Sequence, residues 1–262
     1  METEPNGPTP RVAWVGRRLG EINLALVFLT RLSWVRTDWS RPLMSAAWAF
    51  PVAGALVGLT GGAVAALAML FGAPSLLAAT LGVAAAVLFT GALHEDGLAD
   101  TADGIGSGRD RERSLEILRD SVIGAYGVLA LIVAMLARVT ALAALLDAGP
   151  LGTALPAFVL AAALGRAAGP LFTAALPPAR EDGVGAAAGR PDTAGVAVGL
   201  ALPLLAGLLL GAWPALPLAL LPLVWLGWLA RRRLGGITGD VIGCAMLLTE
   251  CTAVAAIAMA WQ

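Results

Sequence analysis

The sequence predicts an all-α fold: a polytopic transmembrane helical bundle of about seven spans, with six as the alternative, and a cytoplasmic N-terminus. The first reason is composition: 58% of the 262 residues are hydrophobic, only 13% are charged, and the mean hydropathy is +0.82. Soluble domains are far less apolar, so the bilayer is the expected solvent. The second reason is that apolar stretches close to the roughly 20 residues needed to cross the hydrocarbon core recur along the chain, bounded by charge, Gly or Pro.

The N-terminal part of the chain is predicted to stay outside the bilayer. Residues 1–20 carry three prolines and three arginines without the apolar core of a cleaved signal peptide, so we expect a flexible cytoplasmic tail. Residues 21–262 are expected to form a single membrane-embedded catalytic domain. At its start, the apolar stretch 22–34 is too short to span and is assigned to the interface.

Seven further stretches are predicted to span the membrane. In chain order they are residues 46–71, 75–93, 122–146, 151–176, 195–210, 216–230 and 237–261. The fifth and sixth are separated at Trp213 and Pro214, because these residues supply an interfacial aromatic ring and a turn.

Arginines set the predicted orientation, because cytoplasmic loops are enriched in basic residues. All seventeen basic residues are Arg, and most lie before the first span or in alternate connections. The intervening connections around residues 72–74, 147–150 and 212–214 contain none. Seven spans then place the C-terminus outside and the connection after the second span in the cytoplasm. We therefore expect a multi-pass protein of the cytoplasmic (inner) membrane.

An acidic cluster follows the second span. Asp96, Asp100 and Asp103 are spaced i, i+4 and i+7, which puts their side chains within about 60° of one another on one face of a helix. Three carboxylates on one face repel one another unless a cation neutralises them, and hard oxygen ligands favour Mg²⁺, Mn²⁺ or Ca²⁺. The cluster predicts a metal site at the cytoplasmic edge of the membrane, and the adjacent Glu95 is a further candidate ligand.

The alternative for the acidic face is a solvated helix end whose charges pair with nearby basic residues. The candidates for that pairing are Arg109, Arg111 and Arg113. Ionisable residues at a membrane domain are costly and tend to mark function, which favours the metal site.

Four charged residues fall within later apolar stretches and need partners. Asp240 and Glu250 lie in the last stretch, and Arg138 and Arg166 lie in the third and fourth. Either Asp240 extends the acidic site and the arginines reach phosphates by bidentate contacts, or the four residues form structural ion pairs between helices. The role of His94, the only histidine, is undecided in the same way. It is either a structural hydrogen-bonding residue or an acid, base or ligand.

The chain also resembles a known family, the adenosylcobinamide-GDP ribazoletransferases, also called cobalamin synthases. The most specific matching segment is HEDGLADTADG at residues 94–104. Other matching segments follow the family's order over nearly the whole chain: residues 28–32, 50–54, 119–127, 180–185 and 234–243. The chain departs from the family at Ser33, where Pro is common, at Glu95, where an apolar residue is common, and at Val122, where Arg is common. No aspartate of the core motif is missing.

The resemblance implies a reaction and roles for the candidate residues. Members of the family join adenosylcobinamide-GDP to α-ribazole, or to its 5′-phosphate, and release GMP in a late step of cobalamin biosynthesis. By this resemblance, Asp96, Asp100 and Asp103 are expected to hold Mg²⁺, for which Mn²⁺ could substitute, against the diphosphate. Asp240 and His94 are the expected catalytic residues.

The resemblance and the predicted topology together suggest substrate contacts, and composition suggests the other partners. Arg31, Arg119 and Arg190 lie at the predicted cytoplasmic face and are expected to contact substrate phosphates. The lipid bilayer is the other expected partner. Nucleic acid is not expected, because the net charge of −1 comes with no basic stripe. The oligomeric state, a homo-oligomer included, stays open.

Two other functions fit parts of the pattern. A CDP-alcohol phosphotransferase acting on lipid also carries several aspartates on membrane helices, but its pattern has Ala-Arg after Asp-Gly, whereas Ala99 is followed here by Asp100. A cation-coupled or proton-coupled transporter needs acids near the bilayer midplane, whereas the main cluster is predicted at a membrane edge.

Overall fold

The computed structural model describes residues 10–32, 36–107, 110–120 and 122–261. Within these ranges the chain forms eleven α-helices and no β-strand, which confirms the all-α prediction. A 3₁₀ helix, Leu43–Ala49, runs directly into α2, and a π-helical turn, Pro150–Ala154, runs directly into α7. The α-helices are α1 (Pro10–Leu29), α2 (Phe50–Leu70), α3 (Ser75–Thr90), α4 (Leu93–Gly106), α5 (Arg111–Ile117), α6 (Ala125–Ala148), α7 (Leu155–Ala175), α8 (Val184–Ala187), α9 (Thr193–Leu209), α10 (Ala215–Leu234) and α11 (Gly239–Ala260).

The number of helices that could cross a membrane roughly agrees with the prediction. Five helical segments among the described residues are long and apolar enough: Leu43–Leu70, Ala125–Ala148, Leu151–Ala175, Ala215–Leu234 and Gly239–Ala260. A sixth is obtained if α3 and α4 are counted as one broken span, and the apolar α9 has only 17 residues. The chain is therefore a multi-pass membrane protein, while its orientation stays a prediction.

The first helix begins earlier than the apolar pattern predicted. Helix α1 starts at Pro10, inside the expected tail, and ends at Leu29. Its buried residues, which include Glu21 and Leu24, pack toward the 3₁₀ helix and α2. The described side chains of residues 11–20 are exposed, apart from the partly buried Arg18. Residues 1–9 of the expected tail lie outside the described residues, as does Ser33.

A sharp bend lies at the end of the second predicted span, between α3 and the acidic helix α4. The axes of α3 and α4 meet at 89°. Between them, Gly91 and Ala92 both take the left-handed backbone conformation, with φ of 68° and 61°. This conformation is uncommon for a residue with a Cβ, so it is held at Ala92 by the surrounding structure. After the bend, the acidic helix α4 packs mainly against α11 and α6.

Two central helices organise the core. Helices α7 and α11 are the most buried of the candidate spans and pack against each other. Helix α2 packs along α7, and α4 and α10 pack along α11. Most of the surface of α6 and α10 is exposed, as expected for helices that face lipid. The acidic helix α4 is thereby held against a buried central helix.

The connections next to α4 are tied together by hydrogen bonds. Arg111, at the start of α5, donates to the carbonyl oxygens of Leu234 (2.8 Å) and Ala179 (2.6 Å). The Ala179 N–H donates to the carbonyl of Ile237 at 2.8 Å. These bonds hold the connection after α7 and the connection before α11 beside the acidic helix.

Candidate active site

Two helices contribute carboxylates to one region. On α4, Asp96 is exposed, Asp100 is partly buried and Asp103 is buried. The Asp100 carboxylate lies within electrostatic reach of both helical neighbours and also of Asp240 on α11. Such a concentration of negative charge is unfavourable unless a cation or a positively charged group neutralises it.

Asp240 lies in the first turn of α11, directly against α4. Thr238 caps this helix by accepting a hydrogen bond from the Val241 N–H (3.4 Å), and its hydroxyl donates to Asp240 Oδ2 (3.1 Å). On the facing helix, a Cβ added at Gly97 would lie 2.7 Å from the Asp240 carbonyl oxygen. Only glycine permits this approach, which brings Asp96 and Asp240 to the same cavity.

A small cavity of about 140 Å³ lies where α1, α2, α4 and α11 meet. Asp96, Asp240 and His94 line it, and most of the remaining wall is apolar, including Phe28 and Phe50. A few polar groups converging on an otherwise apolar cavity are typical of a binding or catalytic site.

His94 is buried beside this cavity without a protein partner. His94 is 1% exposed, and neither of its ring nitrogens has a hydrogen-bond partner among the described residues. Buried polar groups are normally satisfied, so an unpaired ring at a cavity indicates a site that water or a ligand completes. The purely structural interpretation, a hydrogen bond to a neighbouring residue, therefore has no support, and a role as acid, base or ligand stays a prediction.

Asp103 anchors the start of α6. Its carboxylate accepts hydrogen bonds from the backbone N–H groups of Gly124 (2.7 Å) and Gly127 (3.0 Å). These N–H groups belong to the first turn of a helix, where they have no intrahelical partner. Asp103 does not line the cavity that Asp96 and Asp240 share, so its observed contacts are structural and its role as a metal ligand stays a prediction.

Glu95 points to the opposite side of α4 from the acidic cavity. Its carboxylate pairs with Arg138 of α6 at 2.8 Å (Nη1 to Oε1). Arg138 also pairs with Glu250 of α11 at 2.7 Å, and Glu250 pairs with Arg166 of α7. The placement of Glu95 therefore gives no support to its predicted role as a metal ligand. It is also not exposed, because the ion pair buries it.

This buried network, Glu95–Arg138–Glu250–Arg166, joins four helices and contains two positive and two negative charges. Of the two interpretations left open for Arg138 and Arg166, the structure supports ion pairs between helices. Charges at this depth are tolerated only when paired, so the network holds α4 in register with the central helices.

The described arginines do not support the alternative of a solvated helix end, because they do not pair with the aspartates of α4. Arg111 binds backbone carbonyls, and Arg113 pairs with Glu116 of its own helix at 2.7 Å. Arg109 lies outside the described residues. Among the described salt bridges, none neutralises Asp96 or Asp100.

The three predicted phosphate-binding arginines occupy three different places. Arg31 is exposed beside the bend between α3 and α4, where its backbone N–H donates to the Phe89 carbonyl at 2.8 Å. Arg119 pairs with Asp182 at 2.5 Å. Arg190 lines a separate cleft between α1 and α9. None of the three lines the small acidic cavity.

Arg180 is the basic residue that sequence reasoning did not select as a site residue. It lies close enough to Asp240 for its charge to act on that carboxylate, and its side chain is only 19% exposed. One sequence signal pointed to Arg180, because this residue begins one of the segments that resemble the family. Arg180 follows α7 and is far from α11 in sequence, so its proximity to Asp240 could not be predicted.

The donor set suits a hard cation in an open site. Among the described residues, no three His, Cys, Asp or Glu side chains form a cage that holds a metal ion by themselves. Mg²⁺ usually takes one or two carboxylates and completes its shell with water and phosphate oxygens. Asp96 and Asp100 supply oxygen donors of this kind, with Asp240 nearby on α11, so the chemistry of these residues fits Mg²⁺ bound together with a phosphate ligand.

Comparison with known proteins gives a consistent family. Residues 21–258 match the CobS family, described as cobalamin-5-phosphate synthase. An adenosylcobinamide-GDP ribazoletransferase of Azorhizobium caulinodans is 46% identical over 247 residues, covering 89% of this chain and 93% of the relative. One from Bradyrhizobium diazoefficiens is 46% identical over 234 residues, covering 86% and 88%. One from Sinorhizobium sp. is 41% identical over 261 residues, covering 95% and 99%.

No solved structure matches the chain. The family match nevertheless includes every α-helix from α2 to α10, most of α11, and each residue of the acidic cavity described above. With relatives above 40% identity over most of both chains, the chain belongs to the cobalamin-5-phosphate synthase family.

Proposed function

We propose that this protein joins adenosylcobinamide-GDP to α-ribazole, or to its 5′-phosphate, releasing GMP and forming adenosylcobalamin or its 5′-phosphate. Family membership and the printed activity of the relatives support this reaction. The observation that carries the proposal within the chain is the meeting of Asp96 and Asp240 across Gly97 at one cavity. Carboxylates from two helices could hold a divalent cation, and that cation would bind and position the diphosphate.

In the proposed reaction, a ribazole hydroxyl oxygen attacks the phosphorus attached to cobinamide. A new P–O ester bond forms, and the bond from that phosphorus to the bridging oxygen of the diphosphate breaks. GMP leaves with the bridging oxygen and its electron pair. The hydroxyl proton passes to a base, for which Asp240 and the unpaired ring of His94 are the candidates beside the cavity.

We further propose that Asp96 and Asp100 hold Mg²⁺ together with the substrate diphosphate, and that Mn²⁺ can replace it. Asp240 would act beside this ion, either as a further ligand or as the base. When bound, the cation would supply charge neutralisation for the diphosphate and the departing phosphate. Asp103, bonded to two backbone N–H groups, would contribute through its charge and by fixing the start of α6. A cation bound there would also offset the repulsion that Asp100 experiences from its acidic neighbours.

Arginine contacts complete the proposed site. Arg180 is the best-placed candidate for a substrate phosphate near Asp240. Arg31 lies beside the bend before α4, and Arg119, which is paired with Asp182, lies after α5. Both are exposed and would contact the part of a large substrate that extends beyond the cavity. Because guanidinium groups form bidentate bonds with phosphate, each would add orientation as well as charge. The arginine distribution supports an active site that faces the cytoplasm at the cytoplasmic membrane.

The test is GMP release by the purified chain in liposomes supplied with adenosylcobinamide-GDP and α-ribazole 5′-phosphate. We expect Mg²⁺-dependent GMP together with a cobalamin product, and a loss of about 100-fold or more in Asp100→Asn. Asp147→Asn, an exposed carboxylate at the other end of α6, is the matched control. Full activity of Asp100→Asn, or activity unaffected by removal of divalent cations, would contradict the proposed metal site. Turnover of CDP-diacylglycerol, without GMP release from adenosylcobinamide-GDP, would instead support a lipid phosphotransferase.

A further inference from the structure

A second polar cleft lies between α1 and α9, with the 3₁₀ helix as its floor. Its volume is about 660 Å³, several times that of the acidic cavity. Arg17 and Arg18 enter it from α1, and Arg190 enters it from the connection before α9. The rings of Trp14 and Trp48 form part of its wall. The cleft is therefore basic and aromatic, unlike the acidic cavity.

A buried carboxylate fixes the geometry of this cleft. Glu21 is only 6% exposed, and its Oε2 accepts from Arg18 Nη1 (2.7 Å) and from the indole Nε1 of Trp48 (2.6 Å). Arg18 is held near both indole rings, at 5.7 Å from the centroid of Trp14 and 5.6 Å from that of Trp48. These contacts preorganise the aromatic wall, because the side chains that form it are already bonded to one another.

The acidic residues of the cleft do not neutralise all of its positive charge. Glu21 is occupied by Arg18 and Trp48, and Asp192 caps α9 by accepting from the Gly195 N–H at 2.8 Å. Among the described ion pairs, none includes Arg190. Arg17 is 55% exposed and lies 3.9 Å from Glu21, so its guanidinium keeps free donors. The lining therefore has three arginines against two carboxylates that are already engaged.

We propose that this cleft binds a phosphate-bearing ligand, with the phosphate at Arg17 and Arg190 and the non-polar part of the ligand against Trp14 and Trp48. Guanidinium groups recognise phosphate through paired N–H donors, and indole rings pack on flat or apolar groups. Two sources share this chemistry: the nucleotide phosphate of a substrate, and the headgroup of an anionic phospholipid.

The position of the cleft suits both sources. Met44 lines the cleft and also the acidic cavity, so the two are separated by little more than one side chain. Val198, one turn into the apolar helix α9, also lines the cleft and connects it to the membrane-facing surface. The nucleotide source rests on the proposed function, whereas the lipid source does not.

The experiment measures binding by the full chain in nanodiscs, without turnover. One arm titrates GMP and α-ribazole 5′-phosphate into phosphatidylcholine nanodiscs and follows binding by calorimetry. The other arm counts the phosphatidylglycerol molecules retained by the detergent-released protein in native mass spectrometry. The variant is Arg17→Gln combined with Arg190→Gln. Its matched control is Arg41→Gln, an exposed arginine of the same N-terminal region that does not line the cleft.

We expect the double variant to lose at least tenfold affinity in the nucleotide arm or most of the retained lipid in the other, while Arg41→Gln changes neither. Loss in the nucleotide arm assigns the cleft to a substrate phosphate, and loss in the lipid arm assigns it to a phospholipid. If both arms match the unmodified protein, the proposal is wrong. Binding is also measured in Asp100→Asn: retained binding with no GMP release separates the cleft from the catalytic site.

Discussion

Gly97 of α4 packs directly on the backbone carbonyl of Asp240 in the first turn of α11. A Cβ at position 97 would lie 2.7 Å from that oxygen, closer than any real Cβ contact. The two helices that carry the site carboxylates therefore meet at Gly97, a position where α4 has no side chain. The separation of Asp96 and Asp240 is set by this backbone contact.

Gly97→Ala is expected to lower GMP release by about 10-fold to 100-fold, because helix separation would move the carboxylates by some tenths of an ångström. The protein should still fold, since the change is confined to one helix contact. The measurement is the rate of GMP release alongside the melting temperature in detergent. Gly16→Ala is the control, because a Cβ there has nothing within 4 Å. A Gly97→Ala enzyme with the full rate would show that this spacing does not matter.

Arg138→Met is expected to destabilise the protein by about 3–5 kcal/mol, because it leaves the buried carboxylates of Glu95 and Glu250 without one of their partners. Glu95→Gln should cost less, since its amide oxygen can still accept from Arg138. Reversible unfolding in mixed micelles measures both. The comparison is Arg232→Gln. The Arg232 side chain stacks over Trp228 at the end of α10. Equal stability of Arg138→Met and the unmodified protein would contradict the structural role of the network.

Local periodicity was sufficient to predict the acidic helix and the regions that contain long helices. The residues of HEDGLADTADG form one helix, as their spacing indicated. Contacts between distant segments were not predictable in this way. Glu95 reaches Arg138 across 43 residues, and Arg166 reaches Glu250 across 84. A helical period says which residues share a face, but not which neighbouring helix that face will meet.

The bend after α3 is a second feature that the apolar pattern concealed. The second predicted span was continued to residue 93, yet α3 ends at Thr90 and the chain turns by 89° at Gly91 and Ala92. Glycine is tolerated within transmembrane helices, so Gly91 by itself did not predict a bend. The left-handed backbone at Ala92 is imposed by packing, which a single sequence does not display.

Asp103→Ala and Asp96→Asn are expected to have different consequences. Asp103→Ala removes the acceptor of two N–H groups, one of them in a buried bond, and should destabilise the protein by about 2–4 kcal/mol. Asp96 is exposed, so Asp96→Asn should leave the melting temperature nearly unchanged and reduce GMP release. Unfolding and activity are measured on the same preparations. Unchanged stability in Asp103→Ala would mean that water replaces the carboxylate at the start of α6.

The orientation of the bundle can be tested with introduced thiols, because both natural cysteines, Cys244 and Cys251, are buried and should react slowly. Ser40 is exposed before the first predicted span, and Asp147 is exposed at the far end of α6. With a cytoplasmic N-terminus, a membrane-impermeant maleimide added to intact cells should label Asp147→Cys. It should label Ser40→Cys only after the membrane is opened.

Since α6 starts beside Asp103 and ends near Asp147, the same result would place the acidic helix on the cytoplasmic side. The reverse labelling pattern would place the acidic site on the outer face, where a soluble nucleotide substrate made in the cytoplasm could not reach it, and the proposed orientation would have to be abandoned.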